Sequence, residues 1–486
     1  MIKKIAGLLG IALLLLLIVL LFNTFRAKSW PDSHAFGREY PVSDSAVRHL
    51  SEAVQIATVS YSDTAAIDTA AFNAFDTFLH RAYPLVQQYL ERTRIHQFNY
   101  IYEWKGKNAS LAPMVLMGHY DVVPVETAVM DKWTVPPFSG KITDSCVWGR
   151  GSVDDKNGVI SVLEAAEALL RKGFVPERTI YLCFGHDEEV SGQSAAAEVQ
   201  WFADHHIKPD MVLDEGGEIT ATKIPEIKRP VAVIAVAEKG YASYELSVQK
   251  EGGHSSMPAK ETAIDILAAA LYRLREKTPP ARVTEPVKEF LRRVSANSDN
   301  FVHRMAGSNA WLFGGLSERI ISAKPEGAAM IHTTIVPTIL QSGVKDNVIP
   351  SQATAIVNSR ILPGETAVTV EKYIRDVIGD DRVQVKQVGR FGSDPSPSTS
   401  ISSPAFKRVE TAVEENIPHV IPTPYLNIGA TDSRYFRRIS DGVVNFLPTT
   451  DSKGYHGINE RLPITDFQRS IRFMTTIIEE SGKEVK

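Results

Sequence analysis

The chain has 486 residues, 44% of them apolar and 23% charged, the composition of a globular protein and not of a disordered one. That length exceeds one ordinary core, so two domains, or one domain carrying a large insertion, are expected. A net charge of −4 gives no reason to expect a nucleic-acid partner, and the two cysteines, Cys146 and Cys183, exclude a disulfide scaffold and a thiolate zinc cluster.

Lys3 and Lys4 precede an unbroken apolar run from Ile5 to Phe22, which Asn23-Thr24-Phe25-Arg26 ends. At 1.5 Å per residue the run covers about 27 Å, just enough to cross a bilayer core. No small-x-small cleavage site follows in residues 22–30. Residues 1–28 are therefore predicted to be a single-pass signal anchor with the rest of the chain outside the cytoplasm. Cleavage would make the protein secreted. Lys3 and Lys4 are balanced by Arg26 and Lys28, so the orientation rests on the short N-terminal flank. Residues 29–45, with Pro31, Gly37 and Pro41, read as a linker.

From 46 to 237 apolar strands and helical patterns alternate, the mark of a largely parallel sheet covered by helices. Asp155–Gly173 is predicted helical: Val159, Ile160, Val162, Leu163, Ala166, Leu169 and Leu170 recur at helical spacing, and Gly173 suits the C′ position. The pattern changes near Glu238-Lys239-Gly240. Tyr244, Leu246 and Val248 alternate with polar residues, as in a sheet with one wet face. Helices at 262–276 and 368–378 and strands at 354–361 and 382–388 complete a small α+β unit over 238–393. Residues 278–345 within it show no clear period. Residues 394–486 return to the first domain.

Three apolar runs end in acid- or His-bearing segments. Met114-Val115-Leu116-Met117 leads into Gly118-His119-Tyr120-Asp121, Ile180–Phe184 into Gly185-His186-Asp187-Glu188-Glu189, and Met211-Val212-Leu213 into Asp214-Glu215-Gly216-Gly217. Open α/β sheets bind ligands outside the carboxyl ends of their strands, so these segments predict a metal site of imidazole and carboxylate. Each has a plainer reading. A His after a strand is often merely packed, Asp154-Asp155-Lys156 could be a helix start capped by Asp154, and Gly216-Gly217 could be an ordinary turn.

In chain order, Gly118–Pro124, Gly149–Lys156, Asp187–Glu189, Leu213–Gly217 and Tyr455-His456-Gly457 together resemble the M20 family of two-zinc peptidases and amidohydrolases, nearest the branch of carboxypeptidase S and the N-acyl amino acid hydrolases. The resemblance covers roughly residues 46–480. It implies an α/β fold: a zinc-peptidase-like catalytic domain with a mixed, largely parallel sheet (46–237 and 394–486), plus an inserted α+β lid (238–393). It also implies two Zn²⁺ per subunit, replaceable by Co²⁺ or Mn²⁺. Asp154 would bridge, with His119 and Asp214 completing one ion and Glu189 and His456 the other. Asp121 would orient His119, and Glu188 would be the general base. In the lid, His254 would meet the substrate carbonyl oxygen, often from the partner of a homodimer. Asn347 and Arg360 would hold a substrate carboxylate, although Arg360 could also be a lid salt-bridge residue. Gly429 lies in a substrate-side loop. His186, His205, His206, His303 and His332 fall in no matching motif. The implied reaction is hydrolysis of an amide bond beside a free carboxylate, in short peptides or N-acyl amino acids. A deacetylase, a dipeptidase or an inactive anchored binding protein are the alternatives.

Overall fold

A computed structural model describes residues 2–33, 42–61, 66–224 and 227–483. Residues 34–41 of the expected linker lie outside the described residues. Among those described, a nine-stranded mixed sheet runs in the order Glu91–Ile95, Asn99–Trp104, Ile180–Gly185, Met114–His119, Met211–Asp214, Val443–Asn445, Val231–Glu238 and Ile421–Asn427, with Glu218–Thr220 paired off this path on Val231–Glu238. Met114–His119 is parallel to both Ile180–Gly185 and Met211–Asp214, and Val443–Asn445 is parallel to Met211–Asp214. The central strands therefore end on one edge. Both Met114–His119 and Ile180–Gly185 are buried along their whole length, which explains why they read as continuous apolar runs and not as alternation.

The helix expected after the bridging segment spans Lys156–Arg171. Its cap differs from the expectation. Asp155, not Asp154, fills the N-cap and accepts a hydrogen bond from the Gly158 amide at 3.0 Å. Asp154 is thereby left free to point away from the helix. Gly173 closes the other end at φ +70°, a conformation for which glycine carries no steric cost.

The lid is a four-stranded sheet in the order Thr334–Ser342, Gln352–Ile361, Gly240–Gln249 and Val383–Ser393, backed by helices Ala263–Glu276 and Ala367–Ile378. Burial alternates strictly along Gly240–Gln249, as Tyr244, Leu246 and Val248 foretell. These residues join Ile266, Leu267, Val370 and Ile374 in a core separate from that of the large sheet. Capping boxes at Thr262 and Thr366 start the two helices.

Two regions hold what the sequence pattern left open. Ile2–Arg26 is one helix, apolar and almost entirely exposed. Trp30, within the expected linker, is pinned to the large domain: its indole N–H donates to Glu414 at 2.7 Å, and its ring lies under the Arg293 guanidinium. The unassigned stretch forms four helices, Glu285–Ala296, Phe301–Ser308, Ala310–Ser322 and Pro325–Ile331, before the lid strand Thr334–Ser342.

Candidate metal centre

Three adjacent strand ends carry the site. His119 is the last residue of Met114–His119, Glu188 and Glu189 open a short 3₁₀ turn after Ile180–Gly185, and Glu215 follows Met211–Asp214. Asp154 comes from the loop before the Lys156–Arg171 helix, and His456 from a loop near the C-terminus. The Asp154–Asp155 peptide is cis.

The two oxygens of Asp154 face different imidazoles. Oδ1 lies 3.0 Å from His119 Nε2 and Oδ2 lies 2.8 Å from His456 Nε2. His456 Nε2 is also 3.0 Å from Glu189 Oε2, and His119 Nε2 is 4.0 Å from Glu215 Oε1. Two ligand groups result, His119–Asp154–Glu215 and Asp154–Glu189–His456, each with its donor atoms within 4.8 Å of one another and with Asp154 common to both. The expected ligand Asp214 is not in either group. Its carboxylate is taken by the Ser433 amide at 3.0 Å, so the neighbouring Glu215 occupies the place expected for Asp214. Gly216 and Gly217 are more than a turn of convenience. Gly216 sits at φ +109°, and a side chain at Gly217 would collide with the carbonyl oxygens of Val233 and Asn445.

Asp121 organises two ligand segments at once. Its Oδ1 is 3.3 Å from His119 Nδ1, and its two oxygens accept the amides of Glu188 and Glu189, each at 3.2 Å. Ser60 adds a hydroxyl donor at 2.6 Å. A carboxylate on the second imidazole nitrogen fixes the tautomer that leaves Nε2 free to ligate.

The electrostatics favour a bound positive charge. Burial opposes a charged His119, yet hydrogen bonds to Asp121 and Asp154 raise its pKa. Hydrogen bonds to Asp154 and Glu189 lift His456 to about 10. Burial, reinforced by the charges of Asp154 and Asp155, pushes Glu215 well up. Burial also raises Glu188 to about 8, with Glu189 adding to the shift and His119 opposing it. Glu189 keeps one buried oxygen, Oε1, without a hydrogen-bond partner. Three carboxylates and two imidazoles crowded in this way fit hard or borderline divalent cations, which would let every ligand carry its ligating charge state at once.

A cavity of about 630 Å³ opens over the cluster, lined among others by Asp154, Glu188, Glu189, Glu215, His456, Arg360 and Arg434. Arg360, from the lid strand Gln352–Ile361, stacks over Tyr241 with its Cζ 4.9 Å from the ring centre. No carboxylate among the described residues pairs with it within 4.0 Å, which removes the lid salt bridge as its occupation. Gly429 lines the same cavity. His254 and Asn347 do not. They lie on the exposed ribbon in which Gly253–His254 pairs with Val348–Ile349, and His254 Nδ1 accepts the Ser256 amide at 3.2 Å.

Residues that the sequence reading gave no role of their own complete the site. Arg434, Tyr241 and Tyr455 line the cavity, and the Tyr455 ring stacks on His456 at 4.7 Å. Glu460 is fully buried. Its Oε1 accepts the amides of Gly151 and Val153 at 2.9 Å and of Asp154 at 3.3 Å, while Oε2 takes Arg150 at 2.5 Å. It thus ties the Asp154 loop to the His456 loop. The only sequence signal was its position four residues after His456, which is weak.

Comparison with known proteins gives the family and the fold. The profile of "Peptidase family M20/M25/M40" matches residues 115–480. The chain is 36% identical to the probable carboxypeptidase S-like 2 of Dictyostelium discoideum, over 90% of this chain and 85% of that protein. It is 35% identical to the human N-fatty-acyl-amino acid synthase/hydrolase PM20D1, over 90% and 87%. Among solved structures, the M20 family metallo-carboxypeptidase Sso-CP2 from Sulfolobus solfataricus shares the fold with a TM-score of 0.68 at 19% identity, over 90% of this chain and 99% of that one. The chain belongs to peptidase family M20/M25/M40 and is a hydrolase of that family.

Proposed function

We propose that the protein is a membrane-anchored di-zinc hydrolase that cleaves an amide bond beside a free carboxylate, in N-acyl amino acids or at the C-terminal residue of short peptides. The observation that carries this reading is Asp154, whose two oxygens face two imidazoles in a cavity that also holds the guanidinium of Arg360. His119 and Glu215 with Asp154, and Glu189 and His456 with Asp154, are the residues that would hold two zinc ions, with Co²⁺ or Mn²⁺ able to take their place. Bound there, the metals would activate water and polarise the scissile carbonyl.

The protein's own groups do the rest. Glu188 would take the proton of the attacking water on its carboxylate and deliver it to the leaving nitrogen. Asp121 would keep His119 in its ligating tautomer. Arg360 would hold the substrate carboxylate through its planar fork, which sets the scissile bond at a fixed distance from the metals. His254, exposed and outside the cavity of its own chain, would donate to the carbonyl oxygen in the neighbouring site of a two-fold dimer formed through the lid. The Ile2–Arg26 helix would be the anchor, with the catalytic domain outside the cytoplasm.

The decisive assay is a panel of N-acyl amino acids of graded chain length, their primary amides and blocked dipeptides, run on metal-stripped and zinc-reloaded protein. Zinc-dependent turnover confined to carboxylate-bearing substrates is expected. A deacetylase would favour the acetyl member, and a dipeptidase would require a free amine. Two bound metals with no turnover of any member would instead indicate a binding protein.

A further inference from the structure

The Ala310–Ser322 helix has no buried side chain, and it is not polar. Trp311, Leu316 and Ile320 are 64%, 57% and 62% exposed, with Leu312 exposed beside them. Glu318 and Arg319 are its only charged residues. An added Cβ at Gly314 or Gly315 would meet nothing within 4 Å, so no described part of the chain covers that face. The preceding helix, Phe301–Ser308, extends the apolar surface with exposed Phe301 and Val302. A helix of this kind is unstable in water unless something apolar covers it.

Its neighbour in the fold identifies the cover. Asn309, at the junction of the two helices, is fully buried against the N-terminal helix. Its Nδ2 donates to the Leu20 carbonyl at 3.1 Å, and Asn23 Nδ2 donates to its Oδ1 at 2.9 Å. Leu20 and Thr24 are the buried residues of the otherwise exposed N-terminal helix, and the Phe25 and Phe301 rings meet at 6.2 Å. The apolar helix therefore begins level with the last two turns of Ile2–Arg26, where a bilayer span passes from hydrocarbon into headgroups. Its thirteen residues rise about 20 Å, short of the roughly 30 Å core, so it would lie in the boundary layer instead of crossing it. Trp311, at its first turn, is the side-chain type that favours this depth.

We infer that the Ala310–Ser322 helix is a second membrane contact, resting in the headgroup–acyl boundary of a lipid bilayer beside the N-terminal span. The inference rests on the reading of Ile2–Arg26 as an anchor. A lone span leaves the body free to swivel, whereas a second contact fixes its tilt and its distance from the lipid.

The test uses the full chain reconstituted in phosphatidylcholine vesicles, with plain or brominated acyl chains, and compares Trp311→Phe with the unaltered protein by tryptophan emission. Brominated lipid should quench part of the unaltered protein's emission, and at least half of that quenching should vanish in Trp311→Phe. Equal quenching of the two proteins overturns the inference. Extraction with carbonate separates the two readings. A protein that resists extraction but shows no Trp311-dependent quenching keeps its anchor and loses the second contact, while a protein that comes off loses both. Cross-linking of Trp311→Cys into dimers, with Trp311 unquenched in the unaltered protein, would assign the face to a second copy of the chain instead.

Discussion

The ligand cluster and the His254 ribbon carry residues of the same chemical type, yet they are built in opposite ways. In the cluster every ligand segment is held by hydrogen bonds from elsewhere in the chain. Asp121 holds His119 and the Glu188-Glu189 turn, Ser433 holds Asp214, and Glu460 holds the Asp154 loop to the His456 loop. The ribbon is two residues paired with two, exposed, and His254 touches little beyond Ser256. A site that must place donors to within a fraction of an ångström is embedded in its own chain. A group that lies outside the cavity of its own chain can act there only if something else brings it.

That contrast can be broken at several points. The largest effect is expected at Asp154, because no other carboxylate among the described residues presents oxygens to both imidazoles. Asp154→Ala should lose bound metal and with it all measurable turnover. Elemental analysis that finds two tightly held ions in the variant would remove the bridging role.

Glu188→Gln is isosteric and leaves the ligand set intact, so metal content should be unchanged while kcat falls by at least about 10²-fold, the scale of general acid–base catalysis. Near-normal turnover would take Glu188 out of the mechanism.

Glu460 tests whether the interlocking itself matters. Glu460→Gln keeps the volume but replaces one acceptor oxygen by a donor facing Arg150 or the loop amides. Metal affinity should weaken about 10-fold, the low end for groups that orient ligands, with little change in kcat once zinc is saturating. A chelator competition titration reads this directly, and an unchanged affinity would mean that the loop holds its shape unaided.

Arg360→Ala should cost about 10-fold more in kcat/KM on an N-acyl amino acid than on its primary amide, the loss expected for a charge-assisted hydrogen bond. Arg360→Lys should recover only part of it, since a point charge cannot reproduce the fork. Equal losses on both substrates would show that Arg360 does not meet the carboxylate.

The smallest signal comes from the ribbon. Glu188→Gln and His254→Ala, each inactive alone, should regain about a quarter of normal activity when subunits exchange. Half the dimers are then mixed, and one of their two sites has both groups. A mixture that stays inactive after exchange is confirmed would end the cross-subunit role of His254.

Much of the cluster was legible because strands buried on both faces announce themselves as apolar runs, and the residues just beyond each run must emerge at the sheet edge. His119, Glu188 and Glu189 were readable on that ground. The choice between Asp214 and Glu215 was not. Adjacent residues leave a strand on opposite sides, and only the direction of the backbone at that point decides which carboxylate faces His119. The lid's strands were legible from their alternation and its helices from their helical spacing. Residues 310–322 were not, for a physical reason: helical periodicity is the imprint of a boundary between water and core, and a helix with no buried side crosses no such boundary. Arg434 belongs to the segment 429–434 that resembles a substrate-side loop, whereas Tyr241 reaches the cavity from the lid and no local pattern links it to the site.

The place of Val443–Asn445 in the large sheet has a consequence for timing. This strand sits between Met211–Asp214 and Val231–Glu238, so two strands made early are joined through one made near the end. The lid, whose strands and helices are contiguous in the chain, is finished first. At ribosomal speed the Met211–Asp214 strand waits roughly 10–50 s for its neighbour, and the loop bearing His456 arrives later still. A growing chain therefore carries His119, Asp154 and Glu215 long before His456, and the group Asp154–Glu189–His456 is completed only after the lid and the Val443–Asn445 strand have been made.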